Sequence, residues 1–341
     1  MQGGTERRPR SAAMKWLAAF LLLALACPVS AQEDAAAAAH RAWLQGLVAR
    51  LADDGGPRDL ALAALLRDVV RQGEGDAPVA ADPQTRIWRE TAFARAGTDV
   101  VALNLIAAGA GADEAVRGRA LARWRQLEPG NLAPWLLDDG AGVDASLGAA
   151  RTTRGFNGHF FAQLRAIVAA LDRHPPAPEQ AALLIGVPDA PATSQGYAAA
   201  MGMSLLVART LPALQPLSEA CREAIAAGPV SERGAACRSA ARLLAGADMM
   251  LLRMVGLGMA EDLAADADAQ RAAREARRRF DWQMLEWGRL SVAAEAGGLE
   301  DLVRLLADPA ITGEPALVER LLTEAGIPLQ PPAGWQPPRG G

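Results

Sequence analysis

Proton transfer near neutral pH usually calls on histidine, and the chain offers three, His40, His159 and His174. None has a second histidine three or four residues away, and His-Glu-x-x-His is absent, so a zinc site would need ligands gathered from distant segments. No Gly-x-Ser-x-Gly elbow is present. The sole lysine, Lys15, lies near the start, which removes Ser-x-x-Lys and P-loop chemistry from everything after it. His159, in Arg154-Gly155-Phe156-Asn157-Gly158-His159-Phe160, has the most catalytic surroundings, and the same position also reads as an ordinary helix start. Gly256-Leu257-Gly258 resembles half a dinucleotide turn but lacks the strand that must precede one. Met201, Met203, Met249, Met250, Met254 and Met259 could offer thioethers to copper, yet the Met250, Met254 spacing is that of an apolar helical stripe and reads as core. No residue is therefore assigned a catalytic, cofactor-binding or metal-binding role, and no cofactor is expected.

The cysteines make a firmer prediction. Cys221 and Cys237 lie eight residues on either side of Pro229, between a helix ending at Gly228 and one capped by Ser231. In an antiparallel helical hairpin, equal distances from the turn place both sulfurs at one height, so the two should form a disulfide. A disulfide needs an oxidising compartment, and the N-terminus supplies an address for one.

Arg7, Arg8, Arg10 and Lys15 precede the eleven-residue apolar run Trp16–Ala26, followed by Pro28 and the small-residue site Val29-Ser30-Ala31. That is the layout of a secretory signal peptide with cleavage after Ala31, and the run is too short for a permanent membrane span. Cys27 offers lipid attachment as an alternative, although Ala24 stands where such signals usually carry Leu. Cleavage removes four basic residues and one acidic, leaving 31 basic against 38 acidic, a net of −7. An acidic exported protein is no natural partner for nucleic acid or an anionic membrane surface. The run Arg271, Arg274, Arg277, Arg278 and Arg279 reads as the solvated C-terminal end of a helix begun near Asp266, where cations complement the helix dipole.

The elements that must position these residues read as helices. Phe160, Phe161, Leu164, Ile167, Val168 and Leu171 fall on one helical stripe, and the period recurs in 43–51, 62–70 and 299–306. Asp99, Pro57 and Pro315 mark starts; Gly109, Gly228 and Gly246 mark stops. The fold is expected to be all-α: a signal peptide at 1–31, helical regions at 32–174 and 197–327, a Pro-rich linker at 175–196, and an extended Pro-rich tail at 328–341. That tail carries Trp335, which either lies back on a helical groove or docks another protein.

Acid-Pro turns feeding Trp-bearing helices occur twice, at Asp82-Pro83 with Trp88 and at Glu128-Pro129 with Trp135. The segment Arg123-Trp124-Arg125-Gln126-Leu127-Glu128-Pro129-Gly130-Asn131-Leu132-Ala133-Pro134-Trp135-Leu136-Leu137 resembles the junction between successive tetratricopeptide repeats. The resemblance implies stacked helical hairpins, as a solenoid or irregular array, whose concave face holds a partner protein or peptide. The spacing of 46 residues departs from the family's 34, and Asp138-Asp139-Gly140 interrupts the helix that should follow Trp135. Core packing is the plainer role for Trp88, Trp124 and Trp135. The sequence thus points to an exported, periplasmic, non-catalytic scaffold for an envelope protein or peptide. A helical protein binding a small apolar or amphipathic ligand between its halves, and an enzyme with a scattered site around His159, are the alternatives.

Overall fold

The computed structural model describes residues 31–72, 82–108, 114–185, 193–209, 211–226, 231–293 and 298–338. These form sixteen α-helices with no strand among them, as the apolar period requires; the only β feature described is an isolated parallel bridge between Asn131 and Gly155. The signal-peptide residues 1–30 with Lys15 and Cys27, the stops Gly109 and Gly228, and the turn at Pro229 lie outside the described residues. No helix among the described residues is long and apolar enough to cross a membrane.

The first five helices are α1 (Ala31–Asp54), α2 (Pro57–Gln72), α3 (Pro83–Ala96), α4 (Val100–Ala107) and α5 (Glu114–Leu127). Each packs on the next, α2 also meets α4, and α3 also meets α5, which is the contact pattern of stacked hairpins. Their starts follow local chemistry: the Asp82 side chain accepts from the backbone N–H of Gln84 ahead of Pro83, and Asp99 accepts from Val101 and Ala102. After α5 the chain makes only a one-turn helix, α6 (Ala133–Leu136), before Asp138-Asp139-Gly140 breaks it, then α7 (Gly142–Ala150).

The stripe read from the sequence is the buried face of α8 (Phe160–Arg173): Phe160, Phe161, Leu164 and Ile167 are wholly buried, and the helix packs on α2, α4 and α10 (Ser194–Arg209). A Cβ on Gly202 would lie 2.8 Å from Leu164 and 3.2 Å from Ile167, so α10 presses against that stripe through a glycine. Between them α9 (Pro178–Ile185) forms a helix inside the segment 175–196 and lies on α1.

The rest is α11 (Leu214–Ala226), α12 (Glu232–Ala245), α13 (Met250–Asp262), α14 (Ala267–Ala293), α15 (Gly298–Leu306) and α16 (Glu314–Glu324). Ser231 caps α12 and Gly246 ends it. One hydrophobic core runs from Trp43 to Leu317, drawing residues from both sides of 175–196, and a smaller cluster joins Met250, Leu257, Phe280, Val318 and Leu322. The tail lies on α14. There Trp335 meets Trp282 edge to face at 5.5 Å, and Trp282, Gln283 and Arg278 donate to the carbonyls of Pro328, Leu329 and Trp335.

The arginine run sits differently from the expectation. α14 continues to Ala293, so Arg271–Arg279 occupies its first half and cannot complement a C-terminal dipole. The apolar residues beyond it, Phe280 and Trp282 among them, are buried and extend the helix. Ion pairing holds the charges instead: Arg274 with Glu261, Arg277 with Asp281, Arg278 with Glu275, and Arg271 with Asp268.

Candidate functional site

His159 stands at the N-cap of α8 with φ 54°, the one non-glycine residue of positive φ among the described residues. Its Nε2 meets both carboxylate oxygens of Glu128, at 3.0 and 2.9 Å, and its ring lies 5.8 Å from that of Trp124. Glu128 is the hub of this contact, for its Oε2 also accepts from Trp124 Nε1 at 2.7 Å and Asn131 Nδ2 at 2.8 Å. Burial pushes the Glu128 carboxyl up, but the hydrogen bonds from His159, Asn131 and Trp124 outweigh it and hold the group below its ordinary value. An ionised Glu128 therefore orients the imidazole. Asn131 ties the same turn to the next loop, donating to the carbonyl of Asn157 and accepting from the backbone N–H of Asn157 and Ala133.

Behind His159 the loop is clamped by a half-buried carboxylate. Asp248 accepts from the backbone N–H groups of Gly158 at 2.8 Å and Phe160 at 3.0 Å, satisfying donors that the start of α8 leaves free. Burial, the largest influence, raises the Asp248 carboxyl above its usual range, and it does the same to Glu314, which accepts from Met250 N and is pushed further up by Asp248. Asn104 and Gln163 both donate to the carbonyl of Gly158, while their own buried amide oxygens have no partner among the described residues. The contacts of His159 with Glu128, Trp124 and Asn157 thus tie the loop before α8 to the end of α5, while Asp248 clamps the residues on either side of it. The acid-Pro turn supplied the one sequence signal for Glu128; Asp248, Asn104 and Gln163 carried none.

A second place has the shape of a binding site. Trp43 of α1, Leu171 and Asp172 of α8, Pro175, Pro176 and the start of α10 at Thr193–Ala198 line a cleft of 370 Å³ where the two sides of the 175–196 segment meet. Trp43 and Tyr197 form its aromatic wall with centroids 5.7 Å apart, and His40 completes a three-ring cluster. His40 Nδ1 is hydrogen-bonded to the Tyr197 hydroxyl. Burial lowers the His40 pKa, helped by Arg41, and pushes Tyr197 up to about 12, so this bond joins a neutral imidazole to a neutral phenol. Trp43 Nε1 donates to the carbonyl of His174 at 3.2 Å. Thr193, Ser194 and Gln195 are exposed at the rim, and desolvation raises the Asp172 carboxyl.

The remaining residues singled out by sequence fall into structural places. Cys221 on α11 and Cys237 on α12 are disulfide-bonded, with Cα atoms 5.6 Å apart. Trp124 is wholly buried, while Trp88 and Trp135 are half-buried beneath the guanidinium groups of Arg67 and Arg125. Met249 joins the large core and Met250 the small one. Gly256 is a crossing point, because a Cβ there would lie 2.2 Å from the backbone nitrogen of Ala245. Among the described residues no three His, Cys, Asp or Glu side chains gather as a metal site would require. No family model, no curated protein and no solved structure matches the chain.

Proposed function

We propose that this is an exported, non-catalytic helical-repeat protein of the bacterial cell envelope, a scaffold that holds an extended, proline-containing segment of another envelope protein. The cleft carries this reading. Its walls of Tyr197, Pro175 and Pro176, backed by the buried Trp43, suit a polyproline-type strand, which loses little conformational entropy on binding, and the exposed rim of Thr193, Ser194 and Gln195 offers hydrogen bonds to its carbonyls. The stacking of α1–α5 supports the repeat-like part of the reading, the disulfide fits an oxidising compartment, and the signal-like N-terminus supplies the route. The same cleft also favours a second reading, a small amphipathic ligand, because its volume lies in the range of ordinary ligand pockets.

A photo-crosslinking amino acid placed at Ser194 or Gln195 in the intact cell, with exposed Ile87 as the control position, separates the outcomes. One envelope protein captured from the rim positions and not from Ile87 supports the scaffold. No protein adduct from either rim position removes the scaffold reading and leaves the small ligand, to be sought by mass spectrometry of the native protein.

A further inference from the structure

Most arginines along the first half of α14 are in direct ion pairs, but Arg279 forms none among the described residues, feeling only the longer-range pull of Glu275 one turn back, and neither Arg242 of α12 nor Arg253 of α13 forms one. These three, brought together by the packing of α12 on α13 and α13 on α14, line one cavity of 270 Å³. A single carboxylate, Glu319 of α16, shares the lining and forms no ion pair with them. The cavity therefore holds two more positive than negative charges, inside a chain whose net charge is −4. Helix packing brings these three cations to the lining of one cavity, where an anion meets a positive field.

The lining also says what kind of anion. Arg253 is half-buried and spends its Nε–H on the carbonyl of Ala245 at 3.0 Å, which fixes the plane of its guanidinium and leaves the terminal nitrogens free to donate. Arg242 and Arg279 are exposed and flank it, so a ligand enters between them. Phe280 and Leu257, each 6% exposed, supply an apolar surface, and Gln283 adds an amide anchored to the Leu329 carbonyl. Guanidinium forks match the paired oxygens of phosphate and carboxylate. We propose that this cavity is a binding site for a small organic dianion, a phosphate monoester or dicarboxylate on a short carbon stub. It is held deepest by Arg253 and at the mouth by Arg279 and Arg242. The proposal is independent of the aromatic cleft.

Isothermal titration of the full mature chain at low ionic strength, with glycerol 3-phosphate and with succinate as probes, tests it. Saturable one-site binding of either probe is expected. Arg253→Gln and Arg279→Gln should each weaken it about tenfold, the scale of one lost charge-assisted hydrogen bond. Arg274→Gln, whose arginine pairs with Glu261, should leave it unchanged. Melting temperatures of the variants show that each still folds, and these are surface or half-buried side chains whose loss leaves the helices intact. No saturation below about 10 mM, which is weaker than any affinity worth a dedicated site, overturns the proposal. So does equal affinity in the Arg253 and Arg279 variants, or binding confined to phosphatidic acid vesicles with none to the free probes.

Discussion

Glu128 shows how much one carboxylate can organise. It receives Trp124 Nε1, Asn131 Nδ2 and His159 Nε2, so its removal strands donors that sit in or against the core. Glu128→Ala should cost about 2–3 kcal/mol in chemical denaturation, the penalty for leaving such groups unpaired. Glu128→Gln should cost less, since an amide oxygen still accepts. Glu314 behaves oppositely. Burial and the neighbouring Asp248 raise its carboxyl, so the folded state disfavours its charge. Its contribution to stability is present below the ordinary carboxylate pKa and is lost as pH rises through the raised value. Glu314→Gln, which keeps an oxygen for Met250 N, should melt higher than the parent at pH near 7, and the gap should close as the pH falls to about 4. Melting curves of both proteins across that range decide it; a gap that widens in acid would show the sign to be wrong.

At the scale of elements, close packing and one covalent link set the geometry of α11–α13. A Cβ on Gly256 would meet the backbone of Leu244 and Ala245 at 2.4 and 2.2 Å, contacts that no side-chain rotation relieves. Gly256→Ala should therefore lower stability by about 1–3 kcal/mol through overpacking, despite alanine's better helix propensity. Cys221→Ser opens a loop with a sequence separation of 16 and should cost about 3 kcal/mol by calorimetry while freeing one reactive thiol. The disulfide was legible in the sequence because helix rise and a symmetric turn convert residue number into height. The caps of Asp99 and Ser231 and the stripe of α8 were legible for the same reason: each is a rule about neighbours in the chain. The true extent of α14 was not, because its second half is held by the tail and α16, partners that begin far along the sequence.

The whole molecule is joined more widely than its linker suggests. A single core passes from Trp43 to Leu317, so calorimetry should record one cooperative transition and not two, even though Pro175–Pro191 reads as a break. The candidate cleft could not be read from the sequence for the same reason: Trp43 and Tyr197 come from segments with 153 residues between them, and no local period records that they meet. His159 and Glu128, 31 residues apart, and Asp248, 90 residues beyond Gly158, are joined only by the packing of separate helices.

Arg165 carries a consequence for the order in which the body can close. From α8 it donates to the carbonyls of Leu306, Asp308 and Ile311, at 2.7, 2.7 and 2.6 Å, across as many as 146 positions of chain. A polypeptide is threaded out N-terminus first, so α8 emerges long before those three acceptors exist, and α10 likewise waits for α15 to cover it. The final stretch therefore works as a latch. A chain that ends before Leu306 holds an unclosed body with an unmet guanidinium and bare apolar flanks, the kind of species that proteases remove, and only the full-length chain shuts it.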